Sequence, residues 1–181
     1  MADHLSQPQI ILITGLMASG KSTVAQALAE RLPKSVHLRG DLFRRMIIRG
    51  QEPMGYELSE EALRQLHLRY QIAAAAARMY FQAGFTVVYQ DIILGPDLEK
   101  AVSEFKGLPL ALFVLCPDPG VIAAREAARP KTGYRSEAEI YQFDQALRAQ
   151  TPKIGFWLDS SRLTVAETVD HLLAHLDQAR I

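Results

Sequence analysis

One short stretch, taken with its flanks, constrains the fold of this chain more than any other. It reads Gly15-Leu16-Met17-Ala18-Ser19-Gly20-Lys21-Ser22-Thr23, which is the G-x-x-x-x-G-K-S spacing of a phosphate-binding P-loop. The apolar run Ile10-Ile11-Leu12-Ile13 precedes it, and a run typical of a helix follows over residues 24–32. Strand, glycine-rich loop and helix are the context in which this spacing builds a site. The alternative is a glycine turn that binds nothing.

The residue types of this stretch suit phosphate chemistry. Gly15 and Gly20 allow backbone angles and close approaches that a side chain would block. Successive N–H groups then form an anion nest, and the helix N-terminus adds partial positive charge. Lys21 would reach the β- and γ-phosphates, the Ser22 hydroxyl would bind Mg²⁺, and Thr23 would lie near the α-phosphate. The sequence therefore predicts ATP and Mg²⁺ as cofactors, with residues 15–23 as the binding loop.

Length and composition narrow the class of protein. The 181 residues predict one domain over 1–181 with enough chain for a sizeable core. A formal net charge of +0 argues against an extended nucleic-acid surface, which needs a basic excess. The single Cys116 excludes an intrachain disulfide framework and suits the cytoplasm. We see no signal peptide and no apolar run of membrane-spanning length, so no membrane partner is expected; the oligomeric state is not indicated.

Predicted strands and helices alternate along the chain, which favours a parallel sheet covered on both faces. The expected fold is a three-layer α/β P-loop NTPase fold with a five-stranded, mainly parallel sheet and a short helical lid. The predicted strands are 9–14, 35–39, 85–90, 110–115 and 156–159. The predicted helices are 21–32, 42–48, 59–83, 97–106, 119–129, 137–149 and 164–179.

Three acidic residues follow predicted strands, where ligands bind in open α/β sheets. Asp41 follows the second strand, and we expect it to act as general base toward an acceptor hydroxyl; the alternative is a helix N-cap. Asp91 ends the third strand and is expected to hold Mg²⁺ or contact the acceptor, unless it only caps a turn. Asp159 ends the fifth strand within Asp159-Ser160-Ser161, which is typical of a turn.

Basic residues supply candidate contacts to the transferring phosphoryl group. Arg125 and Arg129 are spaced i and i+4 on one helical face, where two guanidinium groups would clamp developing charge. We expect them to belong to a lid over residues 119–136; the alternative is an exposed basic face paired with Glu126 or solvent. Arg44 lies in the expected acceptor loop, residues 41–58, and would hold an anionic acceptor unless it is a surface arginine. The five histidines show no metal-ligand spacing.

These residues resemble a known group of enzymes, the P-loop small-molecule kinases related to nucleotide kinases. The closest likeness is to the chloramphenicol phosphotransferase family, through the P-loop, Gly40-Asp41-Leu42 and Ala124-Arg125-Glu126-Ala127-Ala128-Arg129. The resemblance implies an acid after strand two as base and an arginine pair in the lid. The turn from Gly40 to Arg44 is also similar to adenylylsulfate kinases and polynucleotide kinases.

The sequence therefore predicts an ATP-dependent phosphotransferase that moves the γ-phosphate to a hydroxyl of a small molecule, as chloramphenicol phosphotransferases do. A nucleoside, nucleotide or polynucleotide 5′-hydroxyl kinase is an alternative. A third possibility, from another class, is a regulatory ATPase without an acceptor. The chain has no Asn-Lys-x-Asp element of the kind that a switch GTPase would need. Residues 49–58 match no known pattern, so the acceptor is not identified.

Overall fold

The sheet forms the centre of the molecule. The computed structural model describes residues 7–55, 57–130 and 133–181. Five strands form one sheet in the order β2-β3-β1-β4-β5, and every strand pairing is parallel. The strands are β1 (Ile10–Gly15), β2 (Ser35–Arg39), β3 (Thr86–Gln90), β4 (Leu110–Leu115) and β5 (Phe156–Leu158). The predicted α/β fold class is confirmed.

Helices connect the strands, and several begin at the residues that the sequence marks as caps. Ser59, Ser136 and Thr164 each accept a hydrogen bond from the backbone N–H three residues on, as N-caps do. The helices are α1 (Lys21–Arg31), α2 (Gly40–Arg45), α3 (Glu60–Gln82), α4 (Asp97–Ser103), α5 (Pro119–Ala127), α6 (Glu137–Gln150) and α7 (Val165–Ala174). Within the described residues, none of the helices is long and apolar enough to cross a bilayer.

Apolar side chains cover both faces of the sheet, which accounts for the three layers. Tyr70 of α3 and Tyr89 of β3 lie in the cluster on one face. Leu28 of α1, Phe113 of β4 and Leu172 of α7 lie in the cluster on the other face. All residues of β1, β3 and β4 are buried, as expected for parallel strands covered on both sides.

Three predicted helices differ from the observed ones by three or more residues at one end. The second helix begins at Gly40 and stops at Arg45 instead of spanning 42–48, because Ile48 is 88% exposed and has no core to pack against. The fourth helix ends at Ser103 instead of 106, where tight i to i+3 bonds replace helical ones. The last helix ends at Ala174 instead of 179. Beyond it the chain forms turns that bring Ala179 to β4, where Ala179 O accepts a hydrogen bond from Leu112 N at 2.8 Å.

The strand order fixes where a ligand can bind. β1 lies between β3 and β4, so the chain leaves β1 at the point where the order of the sheet reverses. A crevice opens outside the carboxyl ends of the strands at such a point. The turn after β2 meets the residue after β3 there, where Gly40 packs against Asp91, and Arg125 from the last turn of α5 contacts the loop after β1.

Candidate active site

The loop after β1 has the backbone of an anion nest. Gly15 has φ 143°, Ala18 has φ 59° and Gly20 has φ 97°, and such positive angles let successive N–H groups face one concavity. A Cβ atom at Gly15 would lie 2.3 Å from Leu115 O, so only glycine fits beside β4. The predicted P-loop therefore has both the conformation and the packing that phosphate binding requires.

Lys21 is the central cation of this loop. Its side chain is buried, and Nζ donates to Leu16 O at 2.6 Å, while no described carboxylate lies within ion-pair distance. Burial is the main reason that the pKa of Lys21 is lowered to about 7; the charge of Asp91 opposes the shift, Arg129 adds to it, and Asp41 opposes it more weakly. Asp91, Arg129 and Asp41, which the sequence predicted as site residues, therefore all act electrostatically on Lys21. A buried ammonium without a counter-ion is costly, and the phosphates of a nucleotide would supply that charge.

The helix that follows the loop offers a hydroxyl for Mg²⁺. Ser22 and Thr23 are exposed in the first turn of α1 and line an open cleft of about 430 Å³ beside β2. No group of three or more His, Cys, Asp or Glu within the described residues could hold a metal ion. Binding of Mg²⁺ by Ser22 stays a prediction.

Asp41 lies in the first turn of α2 with one carboxylate oxygen free to accept. The helix N-cap is Arg39, which makes no side-chain capping bond, so the alternative of Asp41 as an N-cap is not observed. Oδ2 accepts from Arg45, whereas Oδ1 lies 3.6 Å from Arg39 Nε. Oδ1 is buried and has no hydrogen-bond partner among the described residues. A buried acceptor without a donor is suited to orienting a hydroxyl group.

Asp91 lies beneath this turn, and both of its carboxylate oxygens have partners. Oδ1 accepts from Ile92 N at 2.8 Å, while Oδ2 accepts from Tyr89 OH at 3.0 Å and pairs with Arg69 Nε at 3.0 Å. Burial raises the pKa of Asp91, and the Arg69 guanidinium is the strongest opposing influence. These contacts favour a positioning role. Binding of Mg²⁺ or acceptor by Asp91 stays a prediction.

The Asp91 carboxylate explains why residue 40 is glycine. A Cβ atom at Gly40 would lie 2.1 Å from Asp91 Oδ2 and 2.5 Å from Asp91 Cγ. We expect Gly40→Ala to lower the free energy of unfolding by about 1–3 kcal/mol and to lower turnover, because the turn that carries Asp41 must move. Denaturant unfolding would measure the first effect. Gly55→Ala is the control, since its Cβ would meet nothing closer than 3.9 Å; equal stability of the two variants would contradict this explanation.

The two predicted lid arginines lie in different surroundings. Arg125 donates to Ser19 O and to Ser160 O, each at 3.2 Å, so it joins the P-loop to the segment after β5. Arg129 is 42% exposed and pairs with Glu126 at 3.0 Å, as the alternative interpretation expected. The charge of Arg129 nevertheless helps to lower the pKa of Lys21, so a role for Arg129 at the phosphates stays a prediction.

Two further residues hold the predicted lid segment in place; sequence reasoning gave Tyr134 no role and Glu126 only that of a partner for the arginines. Glu126 is only 8% exposed and accepts from the backbone N–H groups of Gly133 and Tyr134. Tyr134 OH donates to Met17 O at 3.0 Å, which ties the lid to the P-loop. Residues 131–132 of the predicted lid lie outside the described residues. The sign available in the sequence was a glutamate between the two arginines of one helix.

The expected acceptor loop is attached to α3 by one glutamine. Gln65 Nε2 donates to Gly50 O at 2.7 Å, and Gln65 Oε1 accepts from Glu52 N at 3.0 Å. Arg44 donates from Nη2 to Glu52 O at 2.6 Å and so meets the same loop from α2. Residue 56 of the predicted loop 41–58 is outside the described residues.

Comparison with known proteins assigns the chain to a family. Residues 10–152 match the AAA domain family AAA_33, which is well over half of the chain. The chain belongs to this AAA domain family. The match begins at β1 and runs through the P-loop, the Asp41 turn and the lid to the end of α6, so all the candidate site residues lie inside the AAA domain. No match was found among curated proteins.

Solved structures share the fold of this AAA domain. A sugar kinase from a Janibacter species has 19% identity and TM-score 0.70, covering 95% of this chain and 96% of its own. A tunicamycin resistance protein from Deinococcus radiodurans has 19% identity and TM-score 0.72, covering 96% and 98%. An APS kinase from Mycobacterium tuberculosis, solved with AMPPNP and APS, has 18% identity and TM-score 0.69, covering 94% and 98%. These likenesses confirm the predicted P-loop kinase-like fold; activity on chloramphenicol stays a prediction.

Proposed function

We propose that this protein is an ATP- and Mg²⁺-dependent phosphotransferase that moves the γ-phosphate of ATP to a hydroxyl group of a small molecule. One observation carries the proposal: a buried Lys21 without a counter-ion and an Asp41 oxygen without a donor meet at the carboxyl edge of one sheet. Lys21 needs an anionic phosphoryl donor, and the Asp41 oxygen suits an acceptor that carries a hydroxyl group. A nucleotide-binding protein without an acceptor would not need an unpaired carboxylate oxygen of Asp41 at this position.

The P-loop would hold the donor. Its N–H groups and Lys21 bind the β- and γ-phosphates, and the Ser22 hydroxyl holds the metal. When bound, ATP supplies the phosphoryl group and Mg²⁺ offsets the charge on its phosphates. When the nucleotide binds, its phosphates become the counter-ion of Lys21 and offset the free-energy cost of burying the ammonium group. Arg125 stabilises the P-loop by donating a hydrogen bond to Ser19 O.

Asp41 would prepare the acceptor. Its free Oδ1 accepts the hydroxyl proton while the hydroxyl oxygen bonds to the γ-phosphorus, and the bond to the bridging β–γ oxygen breaks. Arg129 stands near Lys21 and offsets charge on the equatorial oxygens. The bond from Tyr134 OH to Met17 O holds the lid over the loop, which excludes water as a competing acceptor.

The comparisons support transfer to an acceptor. The solved structures that share the fold include a sugar kinase and an APS kinase, and both names describe transfer to small molecules. A polynucleotide kinase is the less favoured alternative, because a formal net charge of +0 provides little attraction for a phosphate backbone.

A transfer screen tests the proposal. Protein, MgCl₂ and γ-labelled ATP would be incubated with sugars, sugar acids, nucleosides, chloramphenicol and short oligonucleotides, and labelled products separated by chromatography. We expect label in a small-molecule product, absent with the Lys21→Met variant. Label in oligonucleotides would favour the polynucleotide alternative. Release of phosphate at one rate whatever acceptor is added would favour a regulatory ATPase and overturn the proposal.

A further inference from the structure

An open cleft lies between α1 and the edge strand β2, and we refer to it as the α1–β2 cleft. Its volume is about 430 Å³, which is within the range of small-molecule sites. Its lining side chains come from both elements: Ser22, Gln26, Ala27 and Glu30 from α1, and His37 and Arg39 from β2. The lining residues beyond the first turn of α1 have no role in the donor site described above.

One wall of the cleft is a chain of hydrogen bonds with a fixed direction. Gln26 Nε2 donates to Glu30 Oε1 at 2.8 Å, and because a carboxylate only accepts, the amide oxygen of Gln26 faces the other way. That oxygen lies 2.8 Å from His37 Nδ1, so Nδ1 carries the proton. Burial, followed by the charge of Arg39, lowers the pKa of His37, so the imidazole is mostly neutral at pH 7 and its Nε2 atom has a lone pair.

The lone pair of His37 has no donor in the free protein. Its Nε2 atom is buried and makes no hydrogen bond within the described part of the chain, and an unpaired buried acceptor is unfavourable. Arg39 follows on the same face of β2. Its side chain is 41% exposed, and its Nε has no hydrogen-bond partner among those residues, only a 3.6 Å approach to Asp41. Arg39 can therefore move to admit a ligand hydroxyl group to Nε2 and can donate to the same ligand.

The charges of the cleft favour an uncharged ligand. Glu30 follows Ser22 by eight residues on α1, about 12 Å along the helix axis, and its negative charge balances the positive charge of Arg39. The other polar groups are the Ser22 hydroxyl, the Gln26 amide and the imidazole of His37, all uncharged. Such a lining suits a molecule with several hydroxyl groups, because each hydroxyl group both donates and accepts.

The cleft is next to the proposed reaction site. Ser22, which is expected to bind Mg²⁺, lines it, and Arg39 connects it to Asp41, whose Oδ1 lies 3.6 Å from Arg39 Nε. Leu38 of β2 belongs to the apolar cluster on the α3 face of the sheet, so His37 and Arg39, which alternate with Leu38, face the opposite side. The α1–β2 cleft therefore lies across β2 from the predicted acceptor loop.

We propose that the acceptor is an uncharged molecule with several hydroxyl groups, of the size of a sugar or larger, whose body lies in the α1–β2 cleft while one hydroxyl group reaches Asp41. The inference rests on the proposed function and names its substrate class. Other hydroxyl groups of the acceptor donate to His37 Nε2 and accept from Arg39. An anionic body would face Glu30 and a cationic body would face Arg39, so a charge on the body lowers its affinity.

The first test varies the acceptor and then fills the cleft. We expect at least one of glucose, galactose and ribose to be used at a kcat/KM about 10-fold or more above that of glycerol, and glucose to be used better than glucuronate. Ala27→Phe places a ring in the cleft, so the sugar loses several hydrogen bonds and its KM should rise by about 10-fold or more. The kcat/KM for glycerol and the affinity for AMPPNP should not change. Ala75→Phe, the same substitution at an exposed position of α3, should behave as wild type.

A second pair of variants tests the imidazole itself. His37→Phe keeps a ring and removes both nitrogen atoms, so KM for the sugar should rise by about 3- to 10-fold while kcat changes little. His37→Gln keeps an acceptor and should restore part of the affinity. A purely structural role of His37 would change stability in both variants without this recovery of KM.

Binding measurements keep the inference separate from the proposed function. With the P-loop saturated by AMPPNP and MgCl₂, titration with the three sugars should shift the imidazole NMR signal of His37, which is identified by its loss in His37→Phe. The shift should occur in wild type and Ala75→Phe and not in Ala27→Phe. Sugar binding without transfer to any acceptor would overturn the proposed function alone. No bound sugar, tighter binding of glucuronate than of glucose, or equal effects of Ala27→Phe and Ala75→Phe would overturn the proposed role of the cleft.

Discussion

Asp41→Asn is expected to lower phosphoryl transfer by about 10²- to 10⁴-fold, the usual contribution of a general base, while nucleotide affinity changes little. The amide keeps the volume of the carboxylate and one acceptor oxygen, but it cannot take a proton. It also loses the charge that attracts Arg45 and Arg39. Steady-state transfer assays and calorimetric titration with AMPPNP would separate the two effects.

A remote carboxylate provides the control for Asp41. Asp170→Asn removes an exposed ion pair with Arg31 on the surface of α7, and exposed pairs contribute little. That variant should transfer phosphate at the wild-type rate and unfold at nearly the same denaturant concentration. Wild-type turnover in Asp41→Asn would remove Asp41 from the role of base. A loss of turnover together with a large loss of stability would indicate a structural role for the residue.

Lys21→Met should abolish detectable transfer and weaken nucleotide binding. Methionine fills the space and removes the only cation that the P-loop itself provides, so both ground-state binding and stabilisation of the transition state are lost. Loss of one such charged donor costs about 10²- to 10³-fold in turnover, and weaker binding adds to this. Lys106→Met, at an exposed position after α4, controls for the loss of a lysine. Turnover in Lys21→Met that equals wild type would contradict phosphate binding by the loop.

Proton uptake provides a second readout for Lys21. Because burial lowers its pKa to about 7, the free protein holds Lys21 mostly neutral above that pH. The phosphates of a bound nucleotide favour the charged form and raise the pKa again, so binding at about pH 8.5 should take up a proton. The uptake should fall as the pH drops below the pKa of the free protein. Calorimetry in buffers of different ionisation enthalpy measures it, and Lys21→Met should show none.

The parts of the fold and site that follow from local chemistry could be predicted from the sequence. Glycine is favoured where a chain turns tightly from strand to helix, as at Gly15 and Gly20. Serine caps the helix that follows it, as Ser59 and Ser136 do. The carboxyl ends of parallel strands must share one edge, so the sequence alone places Asp41 and Asp91 close together. Residues 49–58 offered no such rule, and the backbone at Gly50 and Glu52 is held by contacts with Gln65 of α3.

Partners chosen by packing could not be predicted. Arg69 is one polar residue among many on a long helix, and only the rotation of α3 against β3 brings it to Asp91. In the same way, Arg125 was expected at the phosphates, but the packing of α5 directs it to Ser19 O and Ser160 O. Tyr134 reaches Met17 only because Glu126 folds the segment around Gly133 back over the loop. The contacts of Arg125 with Ser19 and of Tyr134 with Met17 each join residues more than 100 positions apart in sequence.

The attachment of the acceptor loop to Gln65 has a consequence for how this site can change. On the side of α3, the loop is held by hydrogen bonds between Gln65 and the backbone of Gly50 and Glu52. Position 65 therefore behaves as part of the loop, although it lies on another element. If the predicted acceptor loop of one family member is transplanted into another, the residue at position 65 must be transferred with it. Without that residue, the transplanted loop will not adopt its original conformation.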